Sequence, residues 1–453
     1  MHAKGLAAFV GTMAASVALM AVGSVSASAQ PLHWLEGHAF SAAPTTADCE
    51  TDFGIACYSP LQYEQAYDMK PLYHAGLTGA GQTIAIVDSF GSPTIQADLA
   101  TFDSQYGLPA PPSFNIIAPA GPVPTFDPTN SDMVGWAEET ALDVEYAHSM
   151  APGANILLVE TPVSETEGIT GFPQIVSAEN YVIGHHLAGV ISQSFGATEQ
   201  TFPNPFVIYA LRSAYINAAF NNVTVLAAAS DSGATDYELN ALDLFPFRSI
   251  DWPSSDPLVT AVGGTQLHLN AIGARTAPDN VWNDTALLGS PAAGGGGQST
   301  VFPRPSYQGG VASVVGSARG TPDVSMSAAV DGGAIVYLGF TAQDGSGVVP
   351  GWYVIGGDSQ ATPMFSGVVA VADQAARHWL GPLNPALYNL GDRNHSGIVD
   401  VTSGNNTVTF TNSDNVTYTV NGFTAGPGYD MASGLGTIDG ARFVAQIAAG
   451  GGD

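Results

Sequence analysis

The chain has 453 residues, with ten lysines and arginines against thirty-nine aspartates and glutamates, which gives a formal net charge of −29 at pH 7. A surface of this charge repels nucleic acid and anionic membranes, so neither is expected as a partner. Free Asp and Glu side chains titrate at about pH 4, and protonation in acid would remove much of the self-repulsion. The composition therefore fits either work in acid or simple solubility.

The first 29 residues have the pattern of a secretory signal peptide. A short start that contains Lys4 leads into an apolar stretch, which ends at the small residues Ala27, Ser28 and Ala29. No later stretch is apolar and uncharged for long enough to cross a bilayer. We therefore expect the protein to be secreted and extracellular.

Residues 30–57 are expected to form an N-terminal arm. The only two cysteines, Cys49 and Cys57, lie close together in it. In an oxidising compartment they predict one local disulfide, and two free thiols are the alternative. The rest, residues 58–453, is expected to be a single domain, because the Gly-rich stretch at 294–308 is short for a linker and holds apolar residues.

Apolar runs alternate with helical patterns along the first half of the main body. Helical spacing of apolar residues is found at 60–73, 138–149, 175–186 and 206–220. Buried strands are predicted at 83–87, 156–159, 189–192, 223–227 and 259–262. This alternation predicts an α/β fold with a doubly wound, mostly parallel sheet and helices on both faces. In such folds the chemistry lies at the carboxyl ends of the strands.

Ser359 lies in a Gly-Gly-Asp-Ser segment between a strand-like run at 352–355 and a helical run at 364–377. At such a turn the positive end of the helix and free N–H groups would face a reacting carbonyl. Pro363 fits the first turn of the helix. A tight turn with a capping serine is the alternative interpretation.

A nucleophilic serine needs a base, and histidine is the usual one. Asp88 ends a strand, but no His-Gly-Thr segment follows it as in a subtilisin-type triad. His185 and His186 lie at the end of a predicted helix, where histidine commonly complements the helix dipole. A histidine triad is therefore disfavoured.

Glu139 and Asp143 are the better candidates. Residues four apart share one face of a helix, so their carboxyls can meet. Two carboxyls at close range share a proton in acid instead of both ionising. The alternative is a solvated acidic face, since Glu138 and Glu145 lie nearby.

Taken together, the segments resemble the sedolisin family of serine-carboxyl peptidases, in particular its kumamolisin-like members, from about Tyr58 to the C-terminus. Seven segments follow the order of that family: 81–88, 139–143 with 151–154, 192–196, 229–233, 262–265, 322–325 and 356–363. The resemblance implies a subtilisin-like fold and a serine-type peptidase. It implies Ser359 as nucleophile, Glu139 as general base, Asp143 as its proton-sharing partner and Asp231 as a protonated donor to the oxyanion.

The resemblance also implies one Ca²⁺ site near the C-terminus, and an all-oxygen ligand set suits that ion. The ligands would be the side chains of Asp400 and Asp430 with the carbonyls of Val401, Gly426 and Gly428. A rival interpretation takes residues 392–397 as the start of an EF-hand-like loop, but its twelfth position is Ser403 instead of a glutamate.

Two features depart from the family pattern. Asp358 stands where threonine usually precedes the nucleophile, and only about thirty residues separate Ala29 from Tyr58, where a long propeptide is usual. The resemblance implies a monomeric, acid-active endopeptidase that cleaves polypeptides through an acyl-enzyme on Ser359. The alternative is a secreted binding or structural protein that kept the fold and lost activity.

Overall fold

The computed structural model describes residues 32–34, 39–391 and 396–450. The predicted signal peptide lies outside these residues. The α-helices span Thr46–Asp52, Pro60–Ala66, Lys70–His74, Ile95–Tyr106, Ser131–Met150, Phe172–Gly184, Pro205–Leu211, Ser213–Phe220, Thr285–Leu288, Ala312–Val315, Asp358–Ala376, Asn384–Gly391 and Gly440–Gly450.

Seven parallel strands form the central sheet. In chain order they are β1 (Thr83–Ser89), β2 (Phe114–Ile117), β3 (Asn155–Thr161), β4 (Val190–Gln193), β5 (Thr224–Ala228), β6 (Thr260–Gln266) and β7 (Val324–Ser327). In space their order is β2-β3-β1-β4-β5-β6-β7. A two-residue strand, Asn280–Val281, pairs antiparallel with β6. The predicted α/β fold with a mostly parallel sheet is confirmed.

Smaller antiparallel pairs surround this sheet. They join Gly297–Pro303 to Ala318–Thr321, Ala197–Thr198 to Asp251–Trp252, Ile398–Val399 to Thr437–Ile438 and Val408–Thr411 to Thr417–Val420.

Alternate residues of the strands pack into two cores, one on each face of the sheet. Ile84 and Ile86 belong to the larger core, which also contains the helices α1 (Ser131–Met150) and α2 (Asp358–Ala376). Ala85 and Val87 belong to the other core, with the helices Phe172–Gly184 and Ser213–Phe220. Because strand side chains alternate between faces, these continuous apolar runs are covered on both sides.

The helices α1 and α2 pack closely because Gly367 of α2 has no side chain. A Cβ atom at this position would lie 2.6 Å from the Met150 Cβ and 2.9 Å from the Ala147 carbonyl oxygen. Both helices are buried along nearly their whole length. Their contact fixes the separation between residues on α1 and residues at the start of α2.

A four-stranded sheet leads the chain into α2. Gly351–Gly356 pairs antiparallel with Gly333–Leu338 and with Leu32–Trp34 of the N-terminal arm, and Cys57–Tyr58 completes this sheet. Cys49 and Cys57 form the predicted disulfide. The pairing of Leu32–Trp34 joins the arm to the strand that immediately precedes the candidate nucleophile.

Two of the predicted helices are each divided into two in the structure. The pattern at 60–73 is two helices, because Asp68 adopts a left-handed φ of 54° between them. The pattern at 206–220 is also two helices, which meet at Arg212. Among the described residues, no helix combines the length and apolarity needed to cross a membrane.

Candidate active site

Ser359 is the second residue of α2. The helix begins at Asp358, six residues earlier than the helical pattern predicts, because Gly357 adopts a φ of 133° that allows the chain to turn sharply from strand to helix. The Ser359 side chain is almost fully buried, with 5% of its surface exposed. Pro363 therefore lies inside the helix and not in its first turn, which corrects the sequence prediction.

Pro363 affects the carbonyl group of Ser359. A helical N–H four residues later would normally bond to this carbonyl, but proline has no N–H. The hydroxyl oxygen of Ser194, which follows β4, lies 3.4 Å from this carbonyl oxygen. The Ser359 hydroxyl in turn lies 3.5 Å from the Ser194 carbonyl oxygen. The Ser194 segment is thus placed beside the candidate nucleophile.

Glu139 and Asp143 lie one turn apart on α1, and both side chains are buried. The Ser194 hydroxyl donates to Asp143 Oδ1 at 2.8 Å, which connects this carboxyl to the segment that touches Ser359. Neither Glu139 oxygen has a partner of good hydrogen-bond geometry among the described residues. Because Glu139 and Asp143 are both buried, they are not part of a solvated acidic face, which was the alternative interpretation.

Burial raises the pKa of Glu139 well above its ordinary value. The charges of Asp143 and Asp88 raise it further, and the nearby Ser359 hydroxyl lowers it. Burial, followed by the charge of Asp88, raises the pKa of Asp143, while the hydrogen bond from Ser194 lowers it. Buried carboxyls that raise one another's pKa in this way share protons instead of all ionising.

Asp88, near the end of β1, is the third carboxyl of this group. It is fully buried, and burial raises its pKa to about 7. The sequence interpretation considered Asp88 only as a possible member of a histidine triad, which the structure does not show. Its position at the carboxyl end of a central strand could have indicated its place in the site.

Asp231 lies in the loop after β5. Its Oδ1 accepts the backbone N–H of Asp358 at 2.6 Å, so its carboxyl lies at the N-terminus of α2. Burial raises the pKa of Asp231 to about 7. The preceding Ser230 has a φ of 118°, which is strained for a residue with a side chain, and such strain is common at functional sites.

The histidines that the sequence suggested lie away from this group. His185 follows the helix Phe172–Gly184, where its Nδ1 lies 2.8 Å from the Tyr181 carbonyl oxygen, and it is exposed. His186 lies near Trp379. In the described part of the chain, no histidine is hydrogen-bonded to Ser359.

Two of the predicted calcium ligands, the side chains of Asp400 and Asp430, reach the turn at 426–430. Asp400 Oδ2 accepts the N–H of Gly428, and Asp430 Oδ2 accepts the N–H of Gly426, both at 2.9 Å. The described residues donate no backbone hydrogen bond to the carbonyls of Val401, Gly426 or Gly428. Two carboxylates and three free carbonyl oxygens fit the donor set that Ca²⁺ prefers. The start of the rival EF-hand-like loop, residues 392–395, lies outside the described residues.

A subtilisin-like parallel sheet, with a serine at the start of a buried helix and carboxyls facing it, is the architecture of a serine-carboxyl peptidase. Pseudomonas sedolisin, a serine-carboxyl proteinase solved with two molecules of pseudo-iodotyrostatin, superposes with a TM-score of 0.70 at 28% identity, over 88% of this chain and 99% of that one. The chain belongs to the sedolisin family of serine-carboxyl peptidases.

Curated relatives agree with this assignment. The chain is 34% identical to kumamolisin from Bacillus sp. (strain MN-32), over 91% of this chain and 65% of kumamolisin. It is 29% identical to sedolisin from Pseudomonas sp. (strain 101), over 86% of this chain and 61% of that protein. Human tripeptidyl-peptidase 1 is 30% identical over 66% of this chain and half of its own length. The chain thus spans less than two thirds of the length of these curated relatives, and no protein-family model matches it.

Proposed function

We propose that this protein is a secreted, acid-active endopeptidase that hydrolyses peptide bonds through an acyl-enzyme on Ser359. The observation that carries the proposal is that Ser359 lies beside Ser194, whose hydroxyl donates to Asp143, one helical turn from the buried Glu139. Nucleophile and carboxyls come from different parts of the chain, and each is nearly inaccessible to solvent. Polypeptides are the substrates that such a site would take.

In the first step the Ser359 hydroxyl oxygen attacks the carbonyl carbon of the scissile bond, and its proton passes to Glu139. Asp143 shares a proton with Glu139 and keeps the base in place. The proton is then given to the leaving amine as the C–N bond breaks. Water repeats the sequence with the acyl-enzyme, which releases the second product and restores Ser359.

The negative charge that develops on the carbonyl oxygen needs donors. The Ser359 N–H at the start of α2 is one, and the O–H of a protonated Asp231 is the other. Removing one such donor typically lowers the rate by about 10²–10³. Because Asp231 donates only while it is protonated, activity belongs to the acid range.

Secretion is supported by the signal-peptide pattern of residues 1–29 and by the disulfide between Cys49 and Cys57, a bond typical of oxidising compartments. We also propose that Asp400 and Asp430, with the carbonyls of Val401, Gly426 and Gly428, hold one Ca²⁺. The ion would tie two distant parts of the C-terminal region together, far from the reacting atoms in sequence.

The function is tested by incubating the purified protein and a Ser359→Ala variant with a denatured protein at pH 3 to 7. We expect internal cleavage by the wild type alone. Release of tripeptides from N-termini would replace the endopeptidase assignment by an exopeptidase one. Equal cleavage by both proteins, or none at any pH, would favour a binding or structural protein of this fold.

The calcium site is tested by dialysis against a chelator followed by thermal unfolding. An ion that binds only the folded form stabilises it by about 2.7 kcal/mol at a hundredfold excess over Kd. We expect the melting temperature to fall after dialysis and to recover with added Ca²⁺, while an Asp400→Asn variant does not respond. An unchanged melting temperature, with no metal found by elemental analysis, would remove the site.

A further inference from the structure

The loop that carries Asp231 has a backbone that other segments must hold in place. Ser230, immediately before Asp231, has a φ of 118°, and such strain persists only where the surrounding contacts fix it. The Ala293 N–H donates to the Asp231 carbonyl oxygen at 2.9 Å, and the Gly295 N–H donates to the Ser230 carbonyl oxygen at 2.7 Å. The position of Asp231 therefore depends on where the segment at 293–295 lies.

Asn406 binds both this segment and the loop. Its backbone carbonyl oxygen accepts the Ala234 N–H at 3.1 Å, and its side-chain Nδ2 donates to the Gly294 carbonyl oxygen at 3.2 Å. The side chain is fully buried, and its Oδ1 accepts the Phe423 N–H at 2.7 Å. Because a backbone N–H can only donate, this last bond also fixes which end of the amide is the oxygen.

Asn406 lies at the base of the hairpin formed by Val408–Thr411 and Thr417–Val420, and this hairpin packs on the loop. The close approach is possible because Gly233 has no side chain. A Cβ atom there would lie 2.6 Å from Val408 Cγ1 and 2.7 Å from the Asn406 carbonyl oxygen. The hairpin, the loop and the segment at 293–295 share a small apolar core of Ala234, Leu244, Ala293, Val408, Phe410 and Val420. The base of the hairpin thus supports the loop directly.

We propose that Asn406 is a positioning residue for Asp231, and that its side-chain amide holds the segment at 293–295 where it places the Asp231 carboxyl at the N-terminus of α2. Asp231 Oδ1 accepts the Asp358 N–H there at 2.6 Å. A donor to an oxyanion is effective because it is already in place when the charge develops. Displacement of such a group by about 1 Å can lower a rate by about 10²-fold. Asn406 therefore acts on the reaction through Asp231.

This inference rests on the proposed function, and the Asn406→Ala variant tests it. Removal of the amide frees the Gly294 carbonyl and the Phe423 N–H, so the loop can shift. We expect kcat to fall about 10–100-fold while KM changes little, because an oxyanion donor acts in the transition state. In an Asp231→Ala background, where the donor is absent, Asn406→Ala should lower kcat no further. A wild-type kcat in Asn406→Ala, or an equal loss in the Asp231→Ala background, overturns the proposal.

Asn412 in the same hairpin provides a matched control. Its side chain joins the hairpin to Leu244, farther along the same loop, with two hydrogen bonds. Oδ1 accepts the Leu244 N–H at 3.1 Å, and Nδ2 donates to the Leu244 carbonyl oxygen at 2.9 Å. We expect Asn412→Ala to lower the melting temperature and to leave kcat unchanged. A loss of kcat equal to that of Asn406→Ala would be a general effect of the hairpin and would refute the positioning role.

Hydrogen exchange gives a readout that does not depend on activity. The Asp358 N–H donates to Asp231 Oδ1, so its exchange rate reports whether that carboxyl stays in place. We expect faster exchange at Asp358 in Asn406→Ala than in the wild type, and wild-type exchange in Asn412→Ala. Unchanged exchange in both variants refutes the positioning role. An inactive wild type whose exchange at Asp358 still depends on Asn406 would refute only the peptidase function.

The Asn406→Asp variant replaces Asn406→Ala if the alanine variant does not fold. A protonated carboxyl keeps both hydrogen bonds of the amide, whereas an ionised one has no proton to donate to the Gly294 carbonyl oxygen. We expect exchange at Asp358 to match the wild type at pH 3. It should exceed that of the wild type once infrared spectroscopy shows that the new carboxyl has ionised. Wild-type exchange in the ionised form overturns the proposal.

Discussion

At the scale of single residues, Asp231 carries the strongest pH dependence of the proposed mechanism. Burial raises its pKa to about 7, so the carboxyl still holds its proton at pH values where free aspartate is ionised. A neutral Asp231 can donate a hydrogen bond, and an ionised one repels the oxyanion. Activity should therefore be present below the pKa of Asp231 and be lost as the pH rises through it.

The Asp231→Asn variant tests this role. Asparagine keeps an oxygen for the Asp358 N–H and supplies an N–H donor that does not ionise. We expect the alkaline limb of kcat/KM to move upward, while the maximal rate falls because the donor geometry changes. The measurement is a pH profile from 3 to 9 beside a melting curve. The oxyanion assignment is wrong if both rate and profile match those of the wild type.

The spacing of the motifs identified the main candidate residues of the site but did not predict which other side chains contact them. The i,i+4 spacing of Glu139 and Asp143 predicted one helix face, and the structure confirms that they share the buried helix α1. The part of Ser194 was not foreseen, because its hydrogen bond to Asp143 and its contact with Ser359 join segments that are distant in sequence. Such contacts depend on strand order, which local patterns do not contain.

At the scale of elements, the contact between α1 and α2 sets the distance between base and nucleophile. Gly367 makes this contact possible, because any side chain there would collide with Met150 and Ala147. Glu139 lies in the middle of α1 and Ser359 at the start of α2, so a shift of one helix against the other would separate the two residues. Small displacements of reacting groups lower rates strongly.

Gly367→Ala is expected to lower stability by about 1–3 kcal/mol, the usual range for overpacking. We expect kcat to fall more than KM changes, since the separation of Glu139 and Ser359 would grow. Gly184→Ala is the matched control, because a Cβ atom there meets nothing within 4 Å. The measurements are the free energy of unfolding in denaturant and the kcat and KM of both variants. Equal stability and kcat in the two variants would contradict this role of the contact.

Strand prediction worked where a strand is a continuous apolar run and failed where it is not. The continuous apolar runs of β1, β3 and β5 were recognised because such runs are typical of parallel strands. The edge strand β2 has two exposed residues in its centre, so its composition lacked that pattern. β7 is buried but alternates two serines with Val324 and Met326, so it lacks a continuous apolar run and was not predicted.

At the scale of the whole molecule, buried carboxyls without basic partners make the free energy of unfolding depend on pH. Glu179 and Asp373 lie outside the site, and burial raises their pKa values to about 8 and about 7. In the unfolded chain both would ionise at about pH 4. Between about pH 4 and these raised pKa values, the folded state binds more protons than the unfolded state. The free energy of unfolding therefore falls as the pH rises through this range.

We therefore expect the melting temperature to be highest at about pH 4 and to decline until about pH 8. Repulsion within a chain of net charge −29 acts in the same direction. Glu179→Gln keeps the acceptor for the Gln193 amide and removes one ionisation. The melting temperature of this variant should therefore decline less steeply with pH than that of the wild type. Calorimetry across this pH range is the measurement, and a melting temperature that rises from pH 4 to 7 would refute the account.

The central claim, covalent chemistry at Ser359 without a histidine base, can be tested by trapping the acyl-enzyme. The protein is mixed with an activated ester of a peptide in acid, quenched within milliseconds and analysed by intact and peptide mass spectrometry. We predict an acyl adduct on the peptide that contains Ser359, absent from Ser359→Ala and accumulating more slowly in Glu139→Gln. Peptide cleavage without any adduct, or an adduct on another residue, would contradict the mechanism.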